Sequence, residues 1–165
     1  MQFALADLPW SLCYRRTVVR EDLVLFIRAH GYGVVATTGP GNQPEAALVG
    51  IAVSDALEIV FDTVATTRKL GNLRRDPRAA VVIGGGPHEE STLQCEGRAD
   101  EPSGAELQRL KAVYFAQFPD GPAREAWDGI AYVRIRPQWV RYTDYTQTPA
   151  LIVEAALDDE GRPKG

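Results

Sequence analysis

The chain has 165 residues, with 18 Lys and Arg against 22 Asp and Glu and a formal net charge of −4, a size at which one domain with its own core is expected. Its 45% hydrophobic and 24% charged residues are ordinary globular proportions, and no apolar run approaches the roughly 18 residues a membrane helix needs. Two cysteines, Cys13 and Cys95, exclude a disulfide framework, no C-x-x-C is present, and residues 1–17 lack a basic stretch followed by an apolar one, so the expectation is a cytoplasmic protein with free thiols.

The first element is a helix over Val19 to His30, where Leu23, Phe26 and Ile27 fall at helical spacing and Gly31 supplies a left-handed stop. Gly33 to Thr38, Glu45 to Val53 and Leu57 to Asp62 follow as apolar runs of strand length, separated by Gly39-Pro40-Gly41-Asn42 and by Ser54-Asp55. Such short connections predict an antiparallel meander, because parallel neighbours need long crossovers. Thr67 to Arg75 reads as a short helix that Thr67 can cap, with Pro77 just beyond its end. Strands are expected again at Arg78 to Ile83 and Ser91 to Asp100, around Gly84-Gly85-Gly86-Pro87. Ser103 and Glu106 have the spacing of a capping box and open a helix to about Gln117. Ile130 to Ile135 and Trp139 to Tyr142 complete the set, broken at Pro137. One domain over 1–154 is expected, with a flexible tail over 155–165 that is mostly charged or small. Six or so strands with interspersed helices predict an α+β fold, a small and mainly antiparallel barrel.

Several motif matches fail on context. Gly31-x-Gly33-x-x-Ala36 fits a dinucleotide pattern, but a helix precedes it and a strand follows, the reverse of what that motif needs. The Gly84–Gly86 triplet leads into a proline-containing loop rather than a helix. His30 and His88 have no ligand spacing between them, so no metal site is expected. Asp55, Glu58 and Asp62 are near in sequence, and solvated carboxylates around a turn are their ordinary explanation.

The segment from Phe61 to Lys69 leaves a strand and enters a helix, placing a hydroxyl, a guanidinium and an ammonium beside the first helix amides. Those amides lack intrahelical partners and sit at the positive end of the helix dipole, which suits a phosphate. Solvated charges on an amphipathic turn explain the same residues, and spacing alone does not decide between the two. Arg68, Lys69, Arg74, Arg75 and Arg78 also resemble a nucleic-acid patch. The acidic total and the lack of aromatics among these cations argue against nucleic acid as a partner.

Phe61-x-Thr63, then Thr67-Arg68-Lys69, then Asn72-Leu73-x-x-Asp76-Pro77-Arg78 before an apolar strand resembles the signature of the pyridoxamine 5′-phosphate oxidase-like family, the FMN-binding split barrels. The resemblance runs from the helix at Val19 to the strands near Tyr142. It implies a six-stranded split β-barrel with flanking helices, working as a homodimer that binds FMN and acts on a small-molecule substrate. By the same resemblance Thr63, Thr67, Arg68 and Lys69 hold the phosphate and ribityl chain. Leu48, Val49 and Gly50 would pass their backbone along the isoalloxazine, and Thr92 and Gln94 would contribute from the strand that ends at Gly97. Trp139 and Arg141 would line the flavin of the partner subunit, although a place in the core is the more ordinary explanation of a Trp in a closing strand. Because the flavin carries the redox chemistry, no catalytic acid, base or nucleophile is assigned.

The departures from that signature are informative. Ala47 and Ala52 stand where true pyridoxamine phosphate oxidases carry Arg and Lys, and Arg136-Pro137-Gln138-Trp139 replaces their W-Q-G. The expectation is therefore a relative with a different substrate rather than a true pyridoxamine phosphate oxidase. A deazaflavin, which also bears a phosphate after a ribityl chain, is the alternative cofactor. A non-enzymatic flavin-binding module is the alternative from outside catalysis.

Overall fold

The computed structural model describes residues 19–86 and 89–164. Helix α1 (Arg20–His30) buries Leu23, Phe26 and Ile27, the residues whose spacing predicts it. Gly31 ends it in the left-handed conformation (φ 67°), its N–H donating to the Ile27 carbonyl at 3.0 Å. Strands β1 (Tyr32–Thr38) and β2 (Pro44–Gly50) then pair as an antiparallel hairpin across a single turn of 3-10 helix.

The expected strand over 45–53 is broken at Ile51. Its N–H donates to the Gly31 carbonyl at 2.9 Å, one pair beyond Tyr32 and Gly50 in the β1–β2 register; there the partner strand turns through the left-handed Gly31 into α1, and the chain restarts as β3 (Ala52–Val53). Consequently β4 (Ile59–Val64) does not extend a three-stranded meander beside β2; it pairs with β3 on one side and β7 (Ile130–Asp144) on the other. Helix α2 (Arg68–Arg75) leads to β5 (Arg78–Gly84) and β6 (Ser91–Asp100), and α3 (Gly104–Gln117) and α4 (Gly121–Arg124) precede β7. The final strand, β8 (Leu151–Ala156), pairs with β7. The strand order is β2-β1-β5-β6-β7-β4-β3, with β8 beside β7 and all pairings antiparallel. The fold is the expected α+β split barrel, with eight strands among the described residues where the sequence predicts six.

Pro137 does not break the last expected strand pair; one continuous strand runs from Ile130 to Asp144. The β6–β7 register shifts between Glu96 and Gly97, so that Glu96 faces Trp139 and Gly97 faces Pro137. Proline, which has no N–H to give a ladder, thus sits at a bulge that asks for none. Gly97 is the other half of this device. A Cβ there would lie 2.1 Å from the Arg136 carbonyl oxygen, and backbone cannot swing away as a side chain can. Gly97→Ala should therefore cost at least about 2 kcal/mol of stability, read as a lower urea midpoint.

The boundary expected at residue 154 falls inside β8. Leu157 beyond it is packed into the main core at 2% exposure, and the Lys164 N–H donates to the Ala156 carbonyl at 2.8 Å. The charged composition of this segment belongs to its outer face. The alternation Leu151, Val153, Ala155 and Leu157 carries the inner one.

Two apolar clusters hold the fold. The larger fills the barrel with α1 and the inward residues of most strands, and the smaller packs Leu110 and Tyr114 of α3 on Ala52, Val60 and Tyr132. Cys95 lies in the main core, where burial pushes its thiol up to about 12, too high for thiolate chemistry. Cys13 and His88 lie outside the described residues. Among the described residues no helix is long and apolar enough to cross a membrane, and no three His, Cys, Asp or Glu are grouped to hold a metal ion.

Candidate functional site

The β4–α2 junction turns sharply, with the Thr67 N–H donating to the Val64 carbonyl at 3.0 Å. Thr67 occupies the N-cap position but its hydroxyl does not cap the helix; it lies 2.9 Å from the hydroxyl of Thr63, which is buried at the end of β4. No acidic residue stands in the first turn of α2, unlike α1 with Glu21 and Asp22 or α3 with Glu106. The positive end of this helix dipole is therefore not neutralised from within its own turn. Arg68 and Lys69 add two cations to it.

These residues line a cavity of about 470 Å³ between the start of α2 and the inner face of the β1–β2 hairpin. Thr67, Arg68 and Lys69 form one wall, and Val35, Thr37, Glu45, Ala46 and Ala47 form the other. Small side chains at 46 and 47 leave the volume open where a longer residue would fill it. Burial pulls the Lys69 ammonium below its ordinary range, and Asp62 nearby partly offsets that pull. Desolvation makes this ammonium a stronger partner for an anion than a freely hydrated lysine would be.

Sequence reasoning missed the polar floor of this cavity. Glu45 lies opposite Thr37 in the β1–β2 register. Its carboxylate accepts hydrogen bonds from Arg68 and from the Asn72 Nδ2, the latter at 2.9 Å. The same Asn72 amide donates to the Thr37 hydroxyl at 3.1 Å and is buried beneath α2. Asn72 stands in the recognised motif, but its partners are 27 and 35 residues away and no local spacing announces them.

The remaining candidates fall into two groups. Leu48 projects outward from β2 at 71% exposure, Val49 points into the core, and Gly50 lies under the Phe118 ring, 2.9 Å from where a Cβ would stand. Strand β2 pairs with β1 on one side and ends the strand order on the other. Thr92, Gln94, Trp139 and Arg141 lie on β6 and β7, where Gln94 faces Arg141 and Arg141 meets Glu154 at 3.4 Å. Trp139 lines a second cavity of about 460 Å³ with Ala36, Thr37, Glu96 and Gln138, and Thr37 is common to both cavities. Thr63 faces Ala131 on β7, and Trp139 stands eight residues further on, about 26 Å of strand. Within one chain Thr67, Arg68 and Lys69 line one cavity, with the Thr63 hydroxyl against Thr67, and Trp139 lines the other.

A family model described as "Pyridoxamine 5'-phosphate oxidase" matches residues 19–144, from α1 to the end of β7. The chain belongs to this family. No curated protein matches it. Among solved structures, the chain is similar to a heme-binding protein from Mycobacterium smegmatis, with 20% identity and a TM-score of 0.74 over 86% of this chain and 59% of that one. It thus spans somewhat over half the length of that relative. A conserved hypothetical protein, Rv2991 of Mycobacterium tuberculosis, is 26% identical over 78% of this chain and 86% of its own, with a TM-score of 0.66. A pyridoxamine 5'-phosphate oxidase-related, FMN-binding protein from Nostoc punctiforme is 14% identical, covers 94% of both chains and has a TM-score of 0.66. At these identities the first and third likenesses establish the shared fold.

Proposed function

We propose that this protein binds FMN by its phosphate at the Thr67-Arg68-Lys69 cavity and acts as a flavin-dependent oxidoreductase on a small molecule, as a homodimer. The observation that carries this reading is the α2 N-terminus, free of acids in its first turn and flanked by an arginine and a lysine, opening on a cavity of about 470 Å³. Its donor set is that of a phosphate monoester site: a planar guanidinium, a desolvated ammonium and backbone amides. Thr63 and Thr67 offer hydroxyls suited to a ribityl chain. The outer edge of β2, with Leu48 to Gly50, offers backbone donors and acceptors to a flat heteroaromatic ring.

When bound, the flavin supplies hydride or electron transfer. The protein's part is to hold the phosphate, orient the ring against β2 and keep water from its face. Tyr32, Val34, Leu48 and Val82 form an exposed apolar strip over β1, β2 and β5, which supports a second copy as the cover. Such a copy would bring its own Trp139 and Arg141 to the site.

The test is the absorbance of the purified protein followed by titration. A flavin spectrum is expected, with riboflavin, which lacks the phosphate, binding at least about 30-fold more weakly than FMN. A heme spectrum, or equal affinity for the two flavins, overturns the reading. A deazaflavin phosphate meets the same donors, and tighter binding of it than of FMN would reassign the cofactor. Reduction of the bound flavin by NAD(P)H with turnover on an acceptor separates an oxidoreductase from a binding module.

A further inference from the structure

The phosphate cavity contains its own anion. Glu45 is held from one face of α2, by Arg68 at the helix start and by Asn72 one turn later. The two members of its ion pair differ sharply in freedom: the Glu45 side chain is 17% exposed and the Arg68 side chain 79%. The carboxylate is fixed in place by the buried Asn72, which is itself tied to Thr37. The guanidinium stands in solvent and can move.

We infer that Glu45 is an internal competitor for the cofactor phosphate, holding Arg68 in the ligand-free protein and yielding it only to a strongly charged anion. The inference rests on the phosphate reading of the cavity and adds the residue that sets its selectivity. An arriving phosphate must take Arg68 from a partner that cannot follow it, and must do so beside a fixed negative charge. A dianion that accepts bidentate, charge-assisted hydrogen bonds meets that demand; a monoanionic carboxylate offers Arg68 nothing it does not already have. Glu45 thereby lowers affinity for every anion and costs the weak ones the most, which is discrimination by repulsion. A ligand without a phosphate does not engage Arg68, so Glu45 should be silent toward it.

The experiment compares FMN and riboflavin on the wild-type protein and on Glu45→Gln, which keeps an acceptor for Asn72 while removing the charge. FMN affinity should rise about tenfold or more while riboflavin affinity stays within about twofold. Glu45→Ala is the second variant, with the same selective gain expected, and thermal melts establish that each variant is folded. Unchanged or weaker FMN binding in the folded variants overturns the inference and makes Glu45 a support for Arg68. An equal change for both ligands also overturns it, as an effect on the cavity rather than on the phosphate. If the wild-type protein itself binds neither flavin, the phosphate reading fails first and this inference falls with it.

Discussion

Replacing Arg68 and Lys69 together by alanine is expected to weaken FMN binding by a hundredfold or more without unfolding the protein. Hydrogen bonds to charged groups contribute roughly 1.5–3 kcal/mol each, and two of them lost together correspond to at least about 100-fold in affinity. The fold should tolerate the change because α2 anchors itself through Leu70, Asn72 and Leu73, all buried, and not through these two side chains. The carboxylate beside Lys69 keeps other partners: Asp62 accepts from Arg124 Nε at 2.7 Å and from the Tyr114 hydroxyl at 2.9 Å. Fluorescence titration with FMN and riboflavin, alongside a thermal melt, checks the prediction. Loss of FMN binding at an unchanged melting temperature supports a phosphate cradle. Undiminished FMN binding in the double variant would place the cofactor elsewhere.

The parts of this protein that were legible in its sequence are those decided by neighbours along the chain. Leu23, Phe26, Ile27 and Gly31 define α1 because the helix period and the left-handed stop are local properties. Thr67-Arg68-Lys69 was legible for the same reason: three polar residues at a strand-to-helix transition share a place whatever the rest of the fold does. The misread features all depend on distant contacts. Nothing in the apolar run from Ala47 to Val53 marks Ile51 as a break, because the break comes where its partner strand β1 ends and Gly31 turns away into α1. Pro137 reads as a strand end until Gly97 is seen opposite it, absorbing the shift in register. Charged residues around β8 hide a strand whose inner face is apolar only at alternate positions. Glu45 was invisible as a site residue because its role is made by Arg68, 23 residues on, and by Asn72, 27 residues on. A contiguous motif thus exposes the cations of the candidate site, while the carboxylate that pairs with Arg68 is visible only after folding.

The second large effect is expected at Arg134, where substitution by alanine should cost about 3–5 kcal/mol of stability at neutral pH. Arg134 is 5% exposed and serves three carboxylates. It reaches Asp100 through Nε at 2.9 Å and Nη2 at 2.6 Å, and its Nη1 donates to Glu58 at 3.0 Å and Glu106 at 2.9 Å. Those carboxylates come from the turn before β4, the end of β6 and the first turn of α3, so one side chain on β7 ties three elements. The capping box expected from Ser103 and Glu106 is absent, because Glu106 turns to Arg109 and Arg134 instead. Burial alone would raise Glu58, but Ser54, Arg109 and Arg134 outweigh it and hold the carboxyl below its ordinary value. Arg134 holds Asp100 down, and Arg109 followed by Arg134 holds Glu106 at about 2. All three folded-state values are depressed, so their contribution is present above the unfolded values near about 4 and is lost as pH falls through the folded ones. The stability gap between wild type and Arg134→Ala should therefore be widest above pH of about 5 and narrow steadily toward pH of about 2. Urea unfolding of both proteins at neutral pH and near pH of about 3 measures the gap; an equal gap at both would mean that the loss is one of packing around the guanidinium and not of its charge.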